Sequence, residues 1–185
     1  MLPPAGRQRK GCEMVTEPRR QATAIELSAM LFQAVVVAGP GEREAAESLA
    51  QALGVPAAMV QLELLHVRAV AVEMALQVGL SDGPADTQLR LQYGDRWRED
   101  ETQDSGEAWE LLQDRLQDYA AAVEAADAAG LEATVGRCFA SLFGPSDMAG
   151  DLAHLGGRLF GALLKEVSDL LTEVELVALE VDDAD

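Results

Sequence analysis

The sequence predicts an all-α fold, a bundle of six or seven helices behind a disordered N-terminal tail. Three observations predict it. Apolar residues make up 49% of the 185 positions but aromatics only 4%, so the core must rest on Leu, Val, Ala and Met; an Ala-rich composition of this kind favours helix over sheet. Apolar residues recur in steps of three and four through most of the chain. Gly and Pro punctuate those runs at their ends. The length suits one domain that buries an ordinary core without disulfide or metal staples. We place a basic tail at 1–20, the helical domain at 21–181 and an acidic fray at 182–185.

The tail is punctuated by Pro3, Pro4, Gly6, Gly11 and Pro18 and has no periodicity. It holds Arg7, Arg9, Lys10, Arg19 and Arg20, five of the fourteen basic residues. Met14 is the expected true start, with Arg9-Lys10-Gly11 reading as a purine-rich ribosome-binding segment translated in frame.

The first helix begins at Thr23, whose spacing to Glu26 is that of a capping box, and its stripe runs Leu27, Met30, Leu31, Ala34 and Val35 up to Gly39-Pro40-Gly41. The second spans about Glu42 to Leu53, with Gly54 as a left-handed terminator. Pro56 fits the start of a third helix that reaches about Val78 and is apolar almost all round, the pattern of a central helix. Ser81-Asp82-Gly83-Pro84 is a turn. A fourth helix is carried by Leu89, Tyr93 and Trp97, four apart, and weakened by Gly94; Arg98 to Gly106 reads as a charged loop. The fifth carries a coiled-coil-like seam of Trp109, Leu112, Leu116, Tyr119, Val123 and Ala126. The sixth runs Leu131 to Phe143, with Val135, Phe139 and Leu142 on one face. The last is long, keeping its rhythm from Phe160 to Val181. A short strand over 173–181 is the alternative for its end, set aside because an unpaired strand has nowhere obvious to go.

That last helix also carries small residues at every fourth position: Ala149, Ala153, Gly157 and Gly161. Each glycine costs roughly 1 kcal/mol of helix propensity relative to Ala. A close helix crossing, within the monomer or at a subunit interface, would offset it, and the seams of the fifth and last helices leave room for a homodimer.

The net charge of −18 repels nucleic-acid phosphates and anionic membranes, which excludes both as direct partners and suits a basic protein partner. Imitation of DNA by the acidic surface is a weaker option, since such surfaces are common. Cys12 and Cys138 fit neither a disulfide framework nor a zinc spacing, and Cys138 reads as a small buried hydrophobe. No secretory signal is present, and the apolar run Ile25 to Ala38 is too short for a bilayer and interrupted by Glu26 and Gln33. The expectation is a cytoplasmic protein. Twelve Arg against two Lys point to a GC-rich bacterial genome.

No phosphate-binding loop, dinucleotide fingerprint or nucleophile elbow occurs. The chain has two histidines, each three residues after an acid: Glu63 with His66, and Asp151 with His154. Residues three apart share a helix face. Ferritin-like dimetal proteins place a Glu-x-x-His on each of two helices and a Glu on each of two more, and Glu26 or Glu47 and Glu110 or Glu124 are compatible in chain order. Asp in the second pair, close to a helix start, departs from that pattern. On the third helix Glu63, His66, Glu73 and Gln77 form one narrow polar stripe, either a sliver of solvent-facing surface or a lined interior site. Tyr93 and Trp97 read as packing for the fourth helix.

The function these features leave is a non-enzymatic interaction or regulatory module with no cofactor. One alternative is a dimetal-carboxylate protein holding Fe or Mn on Glu63, His66, Asp151 and His154. Another is a bundle that binds a small apolar ligand among Met30, Met59, Met74 and Phe160.

Overall fold

The computed structural model describes residues 19–99, 105–125 and 130–177. Residues 1–18 of the expected tail, with Met14 and Cys12, the acidic positions 100–101 and the acidic end at 182–185 lie outside the described residues.

The chain is an all-α bundle. Among the described residues, β1 (Arg20–Thr23) leads into α1 (Ala24–Val36), followed by α2 (Pro40–Leu53), α3 (Ala57–Gly79), α4 (Pro84–Glu99), α5 (Ser105–Glu124), α6 (Leu131–Ser141), α7 (Ala149–Glu173) and β2 (Val174–Val177). The start and stop signals act locally. The Thr23 hydroxyl accepts from the Glu26 amide, and the Glu26 carboxylate accepts from the Thr23 amide, so the capping box closes at the head of α1. Gly54 ends α2 at φ +69°, a conformation that a side chain disfavours.

Helix α3 is the axis. Its buried positions run around the whole helix, from Val60, Leu64 and Val67 to Ala69, Val72 and Ala75. Helices α1, α2, α5 and α7 all pack on it. Helix α4 is held against α1 by Trp97, which meets the Phe32 ring edge-on at 5.1 Å, and by the buried Tyr93 and Leu89. Tyr93 and Trp97 are therefore core residues. The combined stretch Ala24–Leu53 is long and apolar enough, by length and composition alone, to cross a membrane. In the fold it is two helices parted at Val37–Gly39, and Leu27, Leu31 and Val35 of α1 are buried.

The chain ends differ from the expectation. The last helix stops at Glu173, and Val174–Val177 is a strand that pairs in parallel with Arg20–Thr23, in the register Arg20 to Val174 and Thr23 to Val177. Arg20, assigned to the tail, is thus the first residue of a ladder. Its two strands bury Ala22 and Val174, and they pack on α1, α4 and α7, which a two-stranded ladder needs.

The row of small residues on α7 serves a close crossing with α6. A Cβ on Gly136 would collide with the Ala153 carbonyl; one on Gly157 would lie 2.6 Å from the Glu132 carbonyl; one on Gly161 would strike the Glu132 side chain; one on Gly156 would lie 2.8 Å from the Phe139 ring. Backbone meets backbone, and Val135, Phe139, Leu152 and Phe160 are fully buried on the two helices. Of the four positions Ala149, Ala153, Gly157 and Gly161, read as a crossing within the monomer or at a subunit interface, Gly157, Gly161 and the Ala153 carbonyl lie against α6 of the same chain.

Gly136→Ala is expected to destabilise the fold by roughly 3 kcal/mol, because the added methyl meets backbone that cannot rotate away. Gly150→Ala, where a Cβ meets nothing within 4 Å, should instead stabilise by about 0.5–1 kcal/mol. Thermal unfolding of both variants checks this; equal midpoints would contradict the close crossing.

Candidate functional site

Along the polar stripe of α3, Glu63 and His66 are buried, Glu73 is half-buried and Gln77 is exposed. Glu63 is 4% exposed and His66 2%, so both must find partners inside the protein. Arg115 of α5 supplies a two-pronged one: its Nε donates to Glu63 Oε2 at 2.9 Å and its Nη2 to Oε1 at 2.8 Å. His66 Nδ1 lies 3.2 Å from Glu63 Oε2. Burial alone would raise the Glu63 pKa, but the hydrogen bonds from His66 and Arg115 outweigh it and hold the carboxyl below the ordinary range. An ionised carboxylate only accepts, so the proton in the His66 contact sits on Nδ1. Arg115 also reaches Asp118 at 3.2 Å. Beside this junction the Tyr119 hydroxyl is buried with no described partner, and Cys138 is half-buried, with burial pushing its thiol pKa up.

The second acid–histidine pair lies elsewhere. Asp151 and His154 are exposed on α7, whereas Glu63 and His66 are buried under α5. Glu26 is engaged with Thr23, and Glu47, Glu110 and Glu124 are exposed. Among the described residues no group of three or more His, Cys, Asp or Glu side chains is placed to hold a metal ion. Glu63 and His66 act instead as a polar pin between α3 and α5.

A second buried charge was not expected. Arg68 is 4% exposed and pairs with Glu42 of α2. Burial lowers its pKa, the Glu42 carboxylate opposes that, and its Nε has no described partner. The sequence shows Arg68 only as one cation in an apolar helix, without the partner on α2.

Beyond the pin, side chains of α3, α4 and α5 face one another across open space. They enclose a cleft of about 520 Å³, inside the range of roughly 300–1,000 Å³ common for small-molecule sites. Its apolar wall is Val70, Met74, Leu116 and Val123, and the half-buried Trp109 closes one side. The Arg98 guanidinium sits 4.8 Å from the centre of the Trp109 ring and donates to Asp95 at 2.7 Å. Three further charges line the cleft, the exposed Glu124 and two that are half-buried. Glu73 is half-buried, and burial raises its pKa against the weaker pull of the Arg90 charge; no described residue donates a hydrogen bond to it. Arg90 is half-buried and donates one bond, from Nη2 to the Leu76 carbonyl at 2.9 Å, near the end of α3. Of the four residues assigned to an apolar ligand site, Met74 alone lines this cleft; Phe160 is in the core, and Met30 and Met59 are exposed.

Comparison with protein-family models, curated proteins and solved structures finds no match to this chain.

The pin makes a pH-dependent prediction. The Glu63 pKa in the folded state lies below its ordinary value of 4.5, so the pin's stabilisation is complete above that value and is lost as pH falls through the folded pKa. Arg115→Met should cost about 3 kcal/mol near neutral pH, because it leaves a buried carboxylate with one partner fewer. It should also raise the Glu63 pKa, so that acid unfolding begins at higher pH than in the parent. Denaturant titrations across pH 3–7 measure both; an unchanged acid transition would contradict the pin.

Proposed function

We propose that this chain is a non-enzymatic binding module of the cytoplasm, and that the α3–α4–α5 cleft is its site for a small amphipathic ligand. The observation that carries the reading is Glu73: a carboxylate drawn into a protein wall with no described hydrogen-bond donor, facing a cleft of ligand size. A half-buried charge without a partner costs stability unless something else offsets it, and a bound molecule is the simplest such offset. Trp109 supports the same reading, since an aromatic ring on a cleft wall offers a large, rigid contact area. Glu63 and His66 are engaged with Arg115 and each other, so the buried polar groups of the pin serve positioning and leave binding to the cleft. The acidic surface, at net charge −18, keeps such a module soluble and clear of nucleic acid.

Thermal-shift screening of the full chain against small acids, amines, zwitterions and neutral molecules tests this. A ligand at about 100 times its Kd stabilises by roughly 2.7 kcal/mol. At least one class should raise the midpoint, and Trp109→Ala should abolish the shift, read as the difference between the liganded and apo midpoints of that same variant. No shift in any class, or a shift that survives Trp109→Ala, would contradict the cleft as the site.

A further inference from the structure

We propose that the ligand class of this cleft is a free α-amino acid with an apolar or aromatic side chain, its ammonium group on Glu73 and its carboxylate on Arg90. The inference rests on the cleft being a binding site and specifies what it takes. Its basis is the juxtaposition of the two half-buried charges of the cleft, opposite in sign and not closed on each other; the other two charges of its lining, Arg98 and Glu124, are exposed, and Arg98 is paired with Asp95. Glu73 and Arg90 both line it and both are half-buried. They attract each other at a distance, yet form no ion pair within 4.0 Å and no hydrogen bond. Arg90 commits Nη2 to the Leu76 carbonyl, which holds the guanidinium in place and leaves its remaining donors without a described partner. Either charge alone would select a simple ion of the opposite sign. Together, and not paired with each other, they select a molecule that carries both signs.

The remaining wall decides what else that molecule carries. Val70, Met74, Leu116 and Val123 are apolar, and Trp109 presents a ring that already accepts a cation from Arg98 on its face. A zwitterionic head against Glu73 and Arg90 therefore continues into an apolar or aromatic body. A long-chain anion fits less well, because its single charge would leave Glu73 unpartnered in the same cleft and would meet the repulsion of a strongly acidic chain. A simple amine leaves Arg90 unanswered in the same way. Specificity by paired charges is strong because an analogue lacking one group leaves a half-buried charge unsatisfied.

Isothermal titration of the full chain with L-leucine and L-tryptophan, alongside L-leucinamide and 4-methylpentanoate, tests the class. The amide lacks the carboxylate and the acid lacks the ammonium group. Both amino acids should bind, and L-leucine should bind at least roughly tenfold more tightly than either truncated probe. Glu73→Gln should erase the advantage of leucine over 4-methylpentanoate, and Arg90→Gln its advantage over leucinamide. Each ratio is taken within one variant, so a loss of stability in that variant cancels. Leucinamide binding as tightly as leucine would overturn the zwitterion in favour of a cation, and 4-methylpentanoate doing so would overturn it in favour of an anion. Either result leaves the cleft a site. Absence of binding by both amino acids at millimolar concentration overturns the class, and a blank across the whole library overturns the site as well.

Discussion

The carboxylate of Glu63 lies between a histidine one turn along its own helix and an arginine on the facing helix, and the placement of α5 depends on that junction. Helix α5 brings a narrow apolar seam, with Leu112 and Tyr119 buried and Trp109, Leu116 and Val123 partly so. The face of α3 that it covers is polar. Apolar contact alone gives a helix little reason to settle on Glu63 and His66. The two-pronged bond from Arg115 answers the charge that burial would otherwise penalise, and its fork geometry fixes angle as well as distance. Glu73 is ten residues further along α3, about 15 Å of helix. There no equivalent partner crosses from α5 among the described residues, and side chains of α3, α4 and α5 line a cleft. One polar contact made and a second left unmade thus explain both how α5 is held and where the molecule is open.

The other side of the axis is assembled differently. Helices α6 and α7 meet through glycines, so close that a methyl group on Gly136 has no room. Direct backbone contact leaves few alternative registers, because most shifts would place a side chain where only hydrogen fits. Helix α7 also packs on α3, and its Leu152, Phe160, Leu163 and Val167 are buried. This side of the molecule is held by the glycine crossing and the apolar face it presents. On the cleft side, α5 is tied to α3 by the Arg115–Glu63 ion pair and α4 to α1 by the buried Leu89, Tyr93 and Trp97.

How much of this was legible in the sequence follows from the range of each interaction. The capping box at Thr23 and Glu26, the terminator at Gly54 and the four-residue spacing of Leu89, Tyr93 and Trp97 are local, and each has the structure its pattern implies. The stripe of Glu63, His66, Glu73 and Gln77 was visible as a stripe, since helical spacing alone defines it. What faces it was not, because Arg115 belongs to another helix and reads in sequence as one more surface cation. The strand at Val174–Val177 was rejected for want of a partner, and its partner lies at the opposite end of the described chain, in residues whose composition resembles a tail. The spacing of two acid–histidine pairs suggested convergence, but spacing within a helix says nothing about which way that helix turns. The α7 pair faces outward and the α3 pair inward.

The most direct measurement of the central interaction is a double-mutant cycle between Glu63 and Arg115, using Glu63→Gln, Arg115→Met and the double variant, with unfolding free energies from denaturant titration near neutral pH. A junction that positions α5 should give a coupling energy of about 2 kcal/mol or more between the two sites. Additive single effects, with coupling near zero, would mean that α5 is held by its apolar seam alone and that the pin does not position it.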